Sequence, residues 1–313
     1  MTIATEIAQN IYVVDALDGG IVERTGIYIV KRAKIAIIDT CTSKAVPRIL
    51  EALDELNIAR EAVDYLIVTH VHLDHAGGAG LLLQSLPNAT FYVHPKGARH
   101  LIDPSRLIDS ARSVYGEQFN DLFDPIVPIP QERVVLAEHD SRISMGDADF
   151  VFYDTPGHAR HHISIYDEAT NSMFVGDTTG VNFPVLTKAG YDIVLPSTSP
   201  NQYNPDEMEA SIAFYESLAL DRIFLGHYSK VEPPTHAYEQ VRYWTPIFLQ
   251  RTEQAIAEAP DAPVDRLTEL LFADIAEHAA QNGYTGELKQ HIASDVIVSS
   301  QGLVHYFATR GDR

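Results

Sequence analysis

Short runs of Ile, Val and Tyr at residues 11–14, 26–31 and 34–39 are separated by polar or glycine-bearing turns, which predicts antiparallel strands at the start of the chain. Residues 44–58 then place Val46, Ile49, Leu50, Leu53 and Leu56 at helical spacing. The apolar run Leu66-Ile67-Val68 predicts a buried strand and leads straight into Thr69-His70-Val71-His72-Leu73-Asp74-His75-Ala76-Gly77-Gly78. A helix is expected over 80–86, a strand at Phe91-Tyr92-Val93 and a helix over 105–123. From residue 134 the strand signal returns in Val134-Val135-Leu136, Phe150-Val151-Phe152-Tyr153, Ile163-Ser164-Ile165-Tyr166 and Met173-Phe174-Val175, which predicts a second sheet. A helical pattern over 206–219 and a strand at Ile223-Phe224-Leu225 complete this part. Beyond Pro233-Pro234 the pattern is helical, over 236–257, 264–282 and 287–309, with breaks near Pro260, Pro263 and Gly283. The expected organisation is a mixed α/β body over 1–235 and a helical C-terminal extension over 236–313.

Composition narrows the partners. The hydrophobic fraction of 45% and charged fraction of 21% are those of an ordinary globular protein, and 313 residues can bury a sizeable core. The formal net charge of −20 repels nucleic acid and anionic membranes, so neither is expected as a partner. Cys41 is the only cysteine, which excludes an intrachain disulfide and a thiolate metal cluster, and a lone thiol fits a reducing cytoplasm. It follows the strand end Ile37-Ile38-Asp39-Thr40 and reads as a buried, inert thiol. The opening Met1-Thr2-Ile3-Ala4-Thr5-Glu6 lacks a basic region followed by an apolar one, and no apolar run approaches about 18 residues. Neither a signal peptide nor a membrane span is expected.

The chemistry lies at the ends of the strands. His70, His72, Asp74 and His75 are four possible metal ligands within six residues. If strand geometry persists, the side chains of His70 and His72 point the same way, while the following loop turns Asp74 and His75 toward a second point. That arrangement suits two metals. Downstream, an apolar strand runs three times into glycine and then a ligand-type residue, at Gly157-His158, Gly176-Asp177 and Gly226-His227. Glycine there permits a close backbone approach or a special dihedral angle. The set of five His and two Asp, without Cys, favours Zn²⁺ and also accepts Fe²⁺ or Mn²⁺. His161 and His162 are candidates for extra ligands or substrate contacts, but read rather as residues next to the ligands or as exposed positions, and His94 as the same case.

These motifs, in this order, resemble the metallo-β-lactamase superfamily, in its glyoxalase II-like and lactonase-like branch, over roughly residues 8–232. The resemblance implies an αβ/βα sandwich, two mixed sheets flanked by helices, with the metals in a cleft at one edge. It implies that His70, His72 and His158 hold one metal, that Asp74, His75 and His227 hold the other, and that Asp177 bridges them. Asp39 would orient a ligand. Two divalent cations, two carboxylates and a bridging hydroxide leave a site of about +1, suited to an anionic transition state. The expected activity is hydrolysis of an ester-like bond of a small molecule, a thioester, lactone or phosphoester, with Asp74 moving a proton to the leaving group.

Departures limit the substrate. Similar lactonases carry a Tyr a few residues after the bridging Asp, whereas Asp177 is followed by Thr178-Thr179-Gly180; Tyr191 is the nearest substitute and reads as packing. Glyoxalase II binds glutathione, and no basic cluster suited to its carboxylates is apparent; Arg242 and Arg251 in the extension are the nearest candidates, and both read as a solvated helix face. The charge disfavours the ribonuclease-like branch. Leu195-Pro196-Ser197-Thr198-Ser199-Pro200 resembles a loop of uncharacterised members of the branch. Two other activities fit the same ligands, a non-hydrolytic di-iron oxygen-binding or oxygen-reducing protein and a mononuclear iron persulfide dioxygenase. Flavodiiron relatives usually present Glu where this chain has His72, and a flavodoxin-like segment with a flavin-binding loop is not expected within these 313 residues. The amphipathic extension admits two roles, a cover over the metal cleft or a homodimer interface.

Overall fold

The computed structural model describes residues 2–198 and 201–310, so the start of the N-terminal segment and Ser199-Pro200 of the loop singled out above lie outside the described residues. Contacts divide the chain into two compact units. The first comprises the chain up to Asp154, His161–Gly176 and Leu220–Lys230; the second comprises Thr155–Arg160, Asp177–Ala219 and the chain from Val231.

In the first unit, a seven-stranded sheet takes its strands in chain order: β1 Ala4–Ala8, β2 Ile11–Asp15, β3 Gly26–Lys31, β4 Ile35–Ile38, β5 Tyr65–Ile67, β6 Thr90–Val93 and β7 Val134–Leu136. Strands β1 to β4 pair antiparallel and β4 to β7 parallel, so the sheet is mixed. Alternation along β3 explains why the strand is apolar throughout. Ile27 and Ile29 face a core shared with Val46, Ile49 and Leu53 of helix Val46–Glu55, whereas Tyr28 and Val30 face a second core. Each such aliphatic side chain taken out of water stabilises the fold by about 1.5–3 kcal/mol.

The second core lies between this sheet and another, formed by β8 Arg142–Ser144, β9 Asp149–Asp154, β10 Ile163–Asp167 and β11 Ser172–Gly176, then β14 Arg222–Leu225 and β15 Ser229–Val231. Phe150, Phe152, Ile163, Ile165, Phe174 and Phe224 meet Tyr28, Ala36 and Ile38 there. Strand β11 pairs antiparallel with β10 and parallel with β14. Two mixed sheets flanked by helices and followed by C-terminal helices make the αβ/βα sandwich expected from the sequence.

Four local expectations change. Val134–Leu136 joins the first sheet beside β6, with Phe91 opposite Val134, and does not open the second. The strand before the His cluster ends at Ile67, so strand geometry does not persist to His70 and His72; a short helix, Leu73–Ala76, carries Asp74 and His75 instead. The 105–123 helix stops at Tyr115, because Gly116 adopts φ 55°, and helix resumes at Phe119–Phe123. Strands β1, β8 and β15 and helices Ala98–Ile102 and Pro184–Lys188 add to the elements that the pattern predicts.

In the second unit, a two-stranded ribbon, β12 Val181–Asn182 and β13 Val194–Leu195, encloses the short helix Pro184–Lys188. Asn204 caps helix Pro205–Ser217 by accepting from the amides of Asp206 (3.0 Å) and Glu207 (3.3 Å). Three long helices follow, Thr235–Glu258, Pro263–Gln281 and Lys289–Thr309, as their spacing predicts, and they pack on one another. Trp244, Phe248, Leu271, Ile275 and Val296 are among the side chains buried there. Among the described residues, no helix is long and apolar enough to cross a membrane.

Candidate metal centre

In the first unit the site is built on the end of β4. Asp39 follows Ile38 with φ 59°, a left-handed conformation that Asp tolerates better than most residues and that turns the carboxylate inward. It is 1% exposed. Its Oδ1 accepts from the Thr69 amide at 2.8 Å and its Oδ2 from the Thr69 hydroxyl at 2.9 Å. Oδ2 also lies 3.0 Å from Nδ1 of His75. The neighbouring Thr40 donates its amide (2.7 Å) and hydroxyl (2.9 Å) to the His75 carbonyl. The end of β4 therefore holds both the start of the His-rich loop and the short helix after it.

These bonds decide how the imidazoles present themselves. A carboxylate only accepts, so Nδ1 of His75 carries the proton and Nε2 offers its lone pair. Likewise Nδ1 of His227 lies 3.2 Å from the carbonyl of Arg24, which leaves its Nε2 as the lone-pair nitrogen. The two Nε2 atoms converge to 3.3 Å. Oδ2 of Asp74 stands 3.4 Å from Nε2 of His227 and 3.8 Å from Nε2 of His75. Ligands at 2.0–2.1 Å around a tetrahedral zinc would be separated by about 3.3–3.4 Å. The Asp74/His75/His227 group, with its ligand atoms within 4.8 Å of one another, thus fits a divalent cation.

His70 and His72 stand beside this group. The His70 ring centroid is 4.1 Å from that of His75 and 4.6 Å from that of His72, and Nδ1 of His70 meets the Thr69 hydroxyl at 3.1 Å. His70 and His75 are fully buried, while Asp74 keeps 31% of its side chain exposed.

In the second unit, the loop at Gly157 places His158. Gly157 adopts φ 134°, and a Cβ there would overlap the backbone of Met208. Nδ1 of His158 lies 3.1 Å from the Ser197 carbonyl, so Nε2 is again the lone-pair nitrogen, 3.6 Å from Oδ2 of Asp177. The Ser197 hydroxyl donates to that same oxygen at 3.2 Å. Ser197 holds both residues, yet the sequence pointed only to the loop around it. A carbonyl acceptor leaves no side-chain signature.

The seven expected ligands thus fall into a group of five in the first unit, His70, His72, Asp74, His75 and His227, and a pair in the second, His158 and Asp177. His161 and His162 are buried, with rings 5.4 Å from His72 and 5.3 Å from His70. His94 faces Asp154 at 3.2 Å and accepts the Lys96 amide through Nδ1. Tyr191 is 2% exposed, with its hydroxyl 2.8 Å from Nδ1 of His278. Arg242 forks onto Glu209 and Glu216, and Arg251 onto Asp274. Cys41 is fully buried, and burial pushes its thiol well up from the ordinary range.

The family model for the metallo-beta-lactamase superfamily matches residues 24–227. The chain belongs to this superfamily. A metallo-beta-lactamase fold-containing protein of the archaeon Sulfurisphaera tokodaii is 29% identical over 143 residues, 45% of this chain and 51% of that protein. A hydroxyacylglutathione hydrolase of Francisella tularensis subsp. novicida is 27% identical over 116 residues, 37% of this chain and 34% of that protein. This superfamily member therefore spans about half the length of the first relative and a third of the second. A metallo-beta-lactamase family protein of Thermus thermophilus superposes with a TM-score of 0.66 at 16% identity, covering 98% of this chain and 95% of that one, which shows the shared fold.

Proposed function

We propose that the chain is a dinuclear metallo-hydrolase that cleaves an ester-like bond, a thioester, lactone or phosphoester, of a small molecule. The observation that carries this reading is the convergence of Asp74, His75 and His227, with the Nδ1 of each imidazole engaged and the two Nε2 atoms 3.3 Å apart. Following the superfamily's order of motifs, His70, His72 and His158 are assigned to one metal, Asp74, His75 and His227 to the other, and Asp177 to both. Imidazole and carboxylate donors without thiolate make zinc the first choice. When bound, two such cations supply hydroxide at neutral pH and stabilise an oxyanion.

The chain's own residues do the rest. Asp39 and the Arg24 carbonyl keep Nε2 of His75 and His227 unprotonated and aimed. Asp74, the most exposed member of its group, is assigned the proton transfer from the attacking water to the leaving group. The relative named hydroxyacylglutathione hydrolase supports a thioester among the candidates. The forks of Arg242 and Arg251 onto carboxylates argue against glutathione itself, since neither guanidinium is left for the carboxylates of that carrier. A thioester of an uncharged carrier therefore stays among the candidates with a lactone and a phosphoester.

The test is hydrolysis of an uncharged thioester, a γ-lactone and a phosphodiester by metal-loaded protein, with Asp74→Asn in parallel. Turnover of at least one substrate, lost in the variant, is expected. Protein holding two metals that turns over none of them would contradict the proposal.

A further inference from the structure

The glycine before Asp177 has a neighbour that the hydrolase reading does not use. Gly176 ends β11 with φ 48°, a conformation that Asn or Asp could also adopt. Sterics are stricter than the dihedral angle. A Cβ at this position would overlap Nε2 of His162 and stand 2.9 Å from the Thr69 hydroxyl. Both of those groups hold His70. The Thr69 hydroxyl meets Nδ1 of His70 at 3.1 Å, and the His162 ring lies against the His70 ring at 5.3 Å with 29° between the planes. His162 is fully buried, and among the described residues it belongs to no group whose ligand atoms converge on one point.

We propose that His162 is a positioning residue for His70, and that Gly176 is glycine to leave room for the two groups that set the His70 ring. The inference rests on the reading of His70 as a metal ligand. An imidazole can bind a metal only when its lone pair points along the bond, so a ligand ring must be held within about 10–20° of the productive orientation. Thr69 fixes one edge of His70 through a hydrogen bond, and a hydrogen bond alone leaves the ring free to tilt about it. The face of His162 limits that tilt from its side, as the rings of His75 and His72 do from theirs. A side chain at position 176 would displace the His162 ring and the Thr69 side chain, and through them tilt His70.

The experiment is cobalt(II) titration of the metal-free full-length protein, followed by its visible d–d bands and by competition with a chelator. The wild type, His162→Ala, Gly176→Ala, His70→Ala and the pairs His162→Ala/Gly176→Ala and His162→Ala/His70→Ala are compared, with circular dichroism as the control for folding. Loss of an orienting partner typically weakens metal binding about 10- to 100-fold. His162→Ala and Gly176→Ala are each expected to weaken one of two cobalt ions by at least about 10-fold and to spare the other. Their combination should cost less than the product of the two effects, because they act on one ring. In the His70→Ala background, His162→Ala should change nothing further.

An unchanged effect of His162→Ala in that background would overturn the positioning role and leave the ligand reading intact. So would equal weakening of both ions. Two cobalt ions bound by His70→Ala as tightly as by the wild type would overturn the ligand reading, and the inference with it.

Discussion

Oδ2 of Asp39 lies 3.0 Å from Nδ1 of His75, while Oδ1 of the same carboxylate accepts the Thr69 amide. One buried residue thus fixes the tautomer of His75 and the start of the His-rich loop. Asp39→Asn keeps an acceptor for Thr69 and removes the charge from the His75 contact. Metal affinity at the Asp74/His75/His227 group is expected to fall about 10- to 100-fold, measured by chelator competition, with the folded spectrum retained.

Asp74 tests the proton-transfer assignment. Asp74→Asn is expected to lower kcat by about 10²–10⁴-fold on whichever ester-like substrate is turned over. Part of that loss should persist when metal occupancy is restored with excess zinc. Full recovery at full occupancy would make Asp74 a ligand and nothing more.

Arg242 and Arg251 test the exclusion of glutathione. Their forks are partly exposed, and surface ion pairs of this kind contribute about 0–1 kcal/mol. Arg242→Ala and Arg251→Ala should therefore shift Tm slightly and leave KM unchanged for a glutathione thioester. A KM raised in either variant would contradict the exclusion of glutathione.

Much of this arrangement is legible in the sequence, for identifiable reasons. The motif His70-Val71-His72-Leu73-Asp74-His75 and the three strand-Gly-ligand units announce themselves because donors at strand ends combine two strong local signals. The C-terminal helices follow from long runs of helical spacing. What stays hidden is pairing and backbone chemistry. Val134–Leu136 reads as a strand from its residues, yet nothing local says that it lies beside β6, because a parallel partner is distant in sequence. Strand β1 is missed because Thr5 and Glu6 are exposed and dilute its apolar pattern. Ser197 and the Arg24 carbonyl orient His158 and His227 through backbone oxygens, which any residue would supply. His162 is visible in the sequence, but its close approach to Gly176 is not, because the two are brought together by the sheet.

Cys41 gives a check on the core. Its thiol is fully buried and pushed well up from the ordinary range by that burial, so little thiolate forms at neutral pH. A maleimide should leave the native protein unlabelled at about pH 8, just below the ordinary thiol pKa, and label one thiol per chain in urea. Prompt labelling of the native state would contradict the packing around β4.

Acid stability offers a further check. The hydrogen bond from His94 holds the Asp154 carboxyl below the usual carboxylate range, against a smaller opposing effect of burial. A carboxyl lowered on folding contributes stability above its unfolded pKa of about 3.9, and the contribution is lost as pH falls through the lower folded value. Solvent reaches the partly exposed Asp154 carboxylate and screens the contact, so the effect is small. His94→Gln should reduce stability at about pH 5, above the unfolded carboxylate pKa, and have no effect at the acid end of the unfolding curve. Equal destabilisation at both ends would assign the loss to packing.

The measurement that bears most directly on the central claim is metal content by elemental analysis of protein produced without added metal, paired with an anaerobic optical spectrum before and after air. About two zinc ions per chain and no visible band are expected from a dinuclear hydrolase site. About two iron ions with an oxygen-dependent visible band, or a single iron per chain, would contradict it and move the site to oxygen chemistry.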